Sequence, residues 1–357
     1  MQAGIPAPLS SHGTPSPRSR PTAGAAAILG LVRFIIYGAG GIGGTIGARL
    51  FRGGHDVLLI ARGPHLAAIQ ADGLRFATPA VDERLPIPAV GHPAEAGLRE
   101  GDVVVLCMKS QHTESALRDL AAAAGDDPGP AIPVVCCQNG VANERAALRR
   151  FPNVYGMVVW LPAEHLRPGE VVTFAEGPGG MLDAGRYPGG VDATITEVTA
   201  ALARAGFTSA PDPAIMRQKY AKLLGNLNNA VNAAAGEAPA DFARLLREEA
   251  LACYAAAGID CAGVEETRAR RRTAVRDGDV PGFDRHGGSS QQSVMRGTGN
   301  IEADYLNGEI VQLGRLHGVP TPANYVVQQA GNAMVRDGLS VGAITVEELR
   351  RRIAAIS

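Results

Sequence analysis

The chain has 357 residues, which is long for one ordinary domain and leads us to expect two. Apolar residues make up 46% and aromatics only 4%, so sizeable cores must be filled mainly by Ala, Val, Leu and Ile. A net charge of −1 gives no electrostatic reason to expect nucleic acid or an anionic membrane as partner.

Residues 1–31 are rich in Pro, Ser, Gly and Ala, with five prolines, no acid and no amphipathic period. They read as a disordered extension, or as sequence ahead of a natural start near Val32; Arg and Ser without acids also suit a transit-like segment. From Arg33 to about residue 205, strand and helix alternate. Strands are expected at 34–37, 56–61, 102–107 and 132–137, with helices at 41–52, 65–71, 114–124, 142–150 and 195–205. The stretch 74–90 reads as one or two edge strands. Residues 154–160 and 170–175 read as further strands at the sheet edge.

Pro211-Asp212-Pro213 breaks the chain. Beyond it strand signals vanish, and helices are expected at 214–235, 242–257, 301–317, 322–337 and 346–355, with a polar loop at 270–299. The expected fold is α/β: a doubly wound, Rossmann-type sheet domain at 32–208 and an all-helical domain at 209–357. No segment approaches the roughly 18–20 apolar residues needed to span a bilayer. The five cysteines are odd in number and lack disulfide or metal spacing, which suits a reducing, cytosolic compartment.

Phe34-Ile35-Ile36-Tyr37 runs into Gly38-x-Gly40-x-x-Gly43 and then a helix, the context a dinucleotide loop requires. Gly38 permits the tight turn, Gly40 lets backbone approach the pyrophosphate, and Gly43 lets helix pack on strand. Amides of Ala39, Gly41 and Ile42 complete the loop at the helix N-terminus, where anions bind. The next strand ends at Arg62 instead of an acid. A carboxylate there would hold a free ribose 2′-hydroxyl; a guanidinium suits a 2′-phosphate, so NADP is the expected cofactor. Two further strand ends, at Lys109 and Asn139, reach the same crevice.

Lys222, Asn226 and Asn229 fall within roughly 60° of one another on one helical stripe. A lysine beside two amides in a cleft can serve as proton donor to a ketone that receives a hydride. On spacing alone the stripe also fits the solvated face of a surface helix. Glu302, at the start of an amphipathic helix, fits a capping role.

These residues together resemble the ketopantoate reductases of the wider 6-phosphogluconate dehydrogenase-like superfamily, from Val32 to about Thr321. The likeness runs through the Gly38 loop, Arg62-Gly63, Met108-Lys109, Gln138-Asn139-Gly140, Lys222-x-x-x-Asn226, Ser289-Ser290 and Glu302-x-Asp304-Tyr305-x-Asn307-Gly308. The resemblance implies an NADPH-dependent reductase of a small 2-oxo acid, with Lys222 as proton donor. It implies that Asn226 and Ser290 bind substrate, that Lys109, Asn139 and Ala163 touch NADPH, and that Glu302 helps hold cofactor and lysine. Two departures fall on substrate contacts. Ala230 stands where the family has a second asparagine, with Asn229 its candidate replacement, and Gln291–Val294 lacks the family's acid. Ketopantoate is the first-choice substrate; another 2-oxo acid, an opine-type reaction, or a non-catalytic NADPH sensor are the rivals. A homodimer is a possible assembly.

Overall fold

A computed structural model describes Met1 and residues 32–125, 131–295, 297 and 301–356. The expected N-terminal extension therefore lies outside the described residues. The first βαβ unit is β1 (Arg33–Tyr37), α1 (Gly41–Arg52) and β2 (Val57–Ile60), followed by α2 (Gly63–Asp72). Next come β3 (Leu74–Ala77), β4 (Asp82–Leu85), β5 (Ala89–Val90), β6 (Asp102–Leu106), α3 (Thr113–Ala124), β7 (Val134–Cys136) and α4 (Asn143–Leu148). The sheet region closes with β8 (Val154–Met157), β9 (Ala163–Glu164), β10 (Glu170–Thr173), β11 (Ala175–Gly179), β12 (Ala184–Arg186) and α5 (Ala193–Arg204).

The main sheet has the order β12-β8-β7-β6-β1-β2-β5 and is parallel except for the β12 edge. Its strands are continuous apolar runs because both faces are covered. Phe34, Ile36, Val103, Val105 and Val135 pack on the side of α1 and α5. Ile35, Val104, Leu106 and Val134 pack with Leu117 and Leu120 of α3. β1 lies between β2 and β6, so successive connections leave it in opposite directions, and the crevice above β1 and β6 is the switch point where ligands bind.

Two expectations about edge strands are corrected. β3, β4, β9 and β10 form a separate four-stranded sheet, order β4-β3-β10-β9, so that of the strands expected at 74–90 and 170–175 only β5 joins the main one. That second sheet lies on α1: a Cβ at Gly44 would stand 2.6 Å from Val171 of β10. Covered on both sides, α1 buries Gly43, Gly44, Thr45, Ile46, Gly47, Ala48 and Leu50, which accounts for its run of small residues. Alternation marks a strand but not the sheet it joins.

The C-terminal region comprises α6 (Ile215–Asn226), α7 (Asn228–Ala235), α8 (Ala240–Ala257), α9 (Val264–Ala274), β13 (Val275–Asp277), α10 (Ser289–Met295), α11 (Asn307–His317), α12 (Pro322–Arg336) and α13 (Val346–Ala354). Leu223, Leu227, Val231, Phe242, Leu246, Ile310 and Val327 form its core. The single helix expected at 214–235 is interrupted at Leu227, among Gly225, Asn226 and Asn228, all weak helix formers. The loop expected at 270–299 instead holds the end of α9, then β13 and α10. β13 pairs antiparallel with β11, so the helical region also contributes a strand. Helix α9 is Arg- and Glu-rich and, among the described residues, buries only Ala274 at its end, which hides its helical period. Among the described residues no helix is long and apolar enough to cross a membrane.

Candidate active site

The carboxyl ends of β1, β6, β7 and β8 open into a cavity of about 440 Å³, whose far wall comes from α6, α7, α9 and α10. That size suits a small-molecule site. At its floor lies the glycine loop. Gly38 has φ 101°, and a Cβ there would sit 2.8 Å from the Met108 amide, so only glycine lets the turn pass the end of β6. A Cβ at Gly40 would meet nothing within 4 Å, which leaves that backbone open to the cavity. Gly40 is also the N-cap of α1 and supplies no side-chain cap, so the first amides of the helix remain available to an anion. The donors and the space fit a dinucleotide pyrophosphate.

Gly38, Gly40, Gly41, Ile42, Lys109, Asn139, Ala163 and Glu302 all line this cavity. Three residues expected to hold cofactor, Ala39, Gly43 and Arg62, are not among those lining it. Ala39 is buried, and its amide donates to Ile60 O at 3.3 Å, toward β2. Gly43 lies under the turn, where a Cβ would be 2.2 Å from Gly38 O; it serves the packing of α1 on β1. Arg62 stands exposed beyond the cavity at the end of β2, in extended conformation (φ −139°, ψ 157°). Its charge depresses the His112 imidazole after burial does, and Lys109 adds to the effect. Arg62 and Lys109 thus concentrate positive potential near His112, along one side of the crevice. Lys109 reaches Ser293 Oγ across the cleft.

Lys222, Asn226 and Asn229 converge on the same cavity from α6 and α7 despite the break at Leu227. Lys222 is half-buried, and its Nζ donates to Asn139 Oδ1 at 2.5 Å and lies 5.4 Å from the centre of the Trp160 ring. Burial above all, then the charge of Lys219, brings its pKa down to about 8; Cys137 and Glu302 oppose the change. The buried Asn226 Oδ1 has no hydrogen-bond partner among the described residues, an acceptor left for a ligand.

Glu302 is not a cap. It is buried in a 3₁₀ turn (Glu302–Tyr305), and its Oε1 accepts from the Ser110 amide and hydroxyl, both at 3.2 Å. Ser110 Oγ in turn accepts from Asn143 Nδ2 at 3.2 Å; Thr113 Oγ1 donates to Asn143 Oδ1 at 2.8 Å and accepts from Gln138 Nε2 at 2.7 Å. This chain of side chains ties the ends of β6 and β7 to the helical region. Of the serine pair, Ser289 lines the cavity, while Ser290, the expected substrate ligand, is buried and is not among the lining residues. One residue turns a helix by about 100°, enough to exchange wall for core.

Sequence reading missed Trp160 and Arg271, which share the wall. The Arg271 guanidinium lies 4.9 Å from the centre of the Trp160 ring. Neither residue sits in a motif that marks it. Asn143, inside α4, carries no signal either, whereas Ser110 and Gln138 adjoin strand ends that do.

Known proteins share this architecture. Residues 34–185 match the ketopantoate reductase PanE/ApbA family, and residues 214–334 match its C-terminal region. A 2-dehydropantoate 2-reductase of Mesorhizobium japonicum is 30% identical over 325 residues, covering 82% of this chain and 94% of its own. One from Halobacterium salinarum is 27% identical over 314 residues, with 86% of this chain and all of its own covered. The crystal structure of a PanE/ApbA family ketopantoate reductase from Ralstonia eutropha superposes with a TM-score of 0.71 at 28% identity, covering 86% of this chain and 99% of that one. A D-mandelate dehydrogenase with NADH and anilino(oxo)acetate shares the fold at TM-score 0.71 and 21% identity, over the same shares of the two chains. With the glycine crevice, the lysine–asparagine wall and the buried glutamate in one cavity, the chain belongs to the ketopantoate reductase PanE/ApbA family of oxidoreductases.

Proposed function

We propose that the protein reduces a small 2-oxo acid with NADPH, ketopantoate to pantoate being the first choice, in a reducing compartment that suits its five free cysteines. The observation that carries this reading is the half-buried Lys222 ammonium, held at 2.5 Å by Asn139 above the crevice of the glycine loop. Bound NADPH supplies the hydride. The chain supplies the proton: Lys222 Nζ gives it to the ketone oxygen, where negative charge develops. Asn226 and Asn229 orient the acid from the same wall, and the Arg271 guanidinium adds a positive charge for its carboxylate. Glu302, fixed by Ser110, holds one side of the cleft.

The proton donor predicts the pH dependence. A lysine lowered to about 8 is protonated below that pH and loses its proton above it. For reduction, kcat/KM is therefore level at neutral pH and falls about tenfold per unit above 8, whereas oxidation of the hydroxy acid rises over the same range. Initial rates in both directions from pH 6 to 10 check this.

The second reading is another 2-oxo acid with a larger apolar side chain. It is favoured by Val159, Trp160 and Leu161 on the cavity wall and by Ala230, where the family that the chain resembles has an asparagine. NADPH oxidation over a panel containing ketopantoate, shorter branched 2-oxo acids and benzoylformate decides between them, with the highest kcat/KM naming the substrate. No oxidation with any of them, despite tight NADPH binding, overturns both readings.

A further inference from the structure

The chain contains only three lysines among its 34 Lys and Arg residues: Lys109, Lys219 and Lys222. All three gather at the one site. Lys109 and Lys222 line the cavity, and Lys219 lies beneath it. Lys219 is fully buried. Its Nζ donates to the carbonyls of Cys136 (3.3 Å), Gln138 (3.0 Å) and Met157 (3.3 Å), and stands 2.5 Å from Glu144 Oε1 of α4, whose carboxylate is buried as well. A compact ammonium can spread its donors over such diverging acceptors; the planar fork of an arginine cannot. Gly156 of β8 leaves the space: a Cβ there would press on Glu144 Oε1 and the Lys219 stem, both at 3.3 Å.

The pair is larger than a brace of the core would require, because of where it grips. The carbonyls of Cys136 and Gln138 belong to the strand end that continues into Asn139, and Asn139 receives the Lys222 ammonium. Lys219 and Lys222 are one turn apart on α6. One turn of helix thus holds one strand end twice, by its backbone below and by its side chain above.

We propose that the Lys219–Glu144 pair is a positioning device for Lys222, pinning the β7 end that carries Asn139 and so fixing the seat of the proton donor. This rests on the reading of Lys222 as that donor. The charged and titratable groups facing Lys222 are Lys219 on its own helix, Cys137 at the end of β7, Glu302 in the 3₁₀ turn and Arg271 on α9. Of the charges, Lys219 depresses its titration most. The pair therefore acts on both the place and the proton affinity of Lys222.

Removing one partner strands a buried charge, so the decisive variant is Lys219→Met with Glu144→Gln, which removes both. Nuclear magnetic resonance of isotope-labelled lysine in the apoprotein gives three Nζ signals, assigned with Lys109→Arg and Lys222→Arg. The wild type is expected to show the Lys222 midpoint near 8. In the double variant it moves up by about one pH unit, and turnover falls about 10- to 100-fold with the NADPH KM within about threefold. Glu144→Gln alone, which keeps the Lys219 ammonium, lowers turnover without raising the midpoint. A wild-type midpoint near the ordinary lysine value of about 10.4 overturns the proposal. So does a folded double variant with midpoint and turnover unchanged, or a double variant that does not fold, which would assign the pair to the core alone. The titration needs neither substrate nor cofactor, so failure of the keto-acid reading and failure of this proposal are told apart.

Discussion

Replacing Lys222 with alanine is expected to lower kcat for 2-oxo acid reduction by about 10³-fold, the middle of the range for a positioned general acid. The NADPH dissociation constant should stay within about threefold, because the glycine loop and Arg62 lie on other elements. The melting temperature should hardly fall. Lys222 is a partly desolvated cation whose burial already opposes its charge, so its loss removes an electrostatic cost along with its contacts to Asn139 and Trp160. Lys222→Arg sharpens the test. It keeps the charge beside Asn139 but cannot release a proton near pH 8, so turnover stays low and the alkaline limb disappears. Stopped-flow measurement of NADPH oxidation with fluorescence titration of NADPH separates chemistry from binding. Full turnover in Lys222→Ala would remove the proton donor from the proposed reaction.

The second large effect concerns the cofactor. Arg62→Asp should lower the ratio of kcat/KM with NADPH to that with NADH by about 100-fold, since a charge-assisted contact to the 2′-phosphate is replaced by repulsion. Folding should be indifferent to the change. Arg62 is exposed and extended at the N-cap of α2, where it makes no side-chain cap and where aspartate is a favoured residue. Paired assays with the two cofactors on wild type and variant check this; an unchanged ratio means that another group reads the ribose.

Much of this site could be read before any coordinates, and the reasons lie in particular residues. Gly38, Gly40 and Gly43 stand within six residues and are constrained by one turn, so their spacing states their roles even though only two of them touch the cavity. Lys222, Asn226 and Asn229 were legible because helical periodicity survives a one-residue interruption. Which serine of the pair lines the cavity was not legible, because periodicity gives a stripe, not the direction in which that stripe faces. The second sheet was missed because strand pairing between β3 and β10 joins residues roughly a hundred apart, and nothing in either strand names its partner.

What the sequence determined by itself is therefore what depends on neighbours along the chain: strand, glycine turn and helix, the basic residue at the end of β2, and the polar stripe on α6. Their dihedral and hydrogen-bond requirements are met within a few residues. Tertiary structure alone decided that Lys219, one turn from Lys222 on the same helix, is sunk among carbonyls. It alone brought Glu302 to Ser110, 192 residues away, and set Arg271 on Trp160. Those outcomes depend on the burial and partners that folding supplies, and a side chain three positions from its neighbour carries no mark of which environment it will meet.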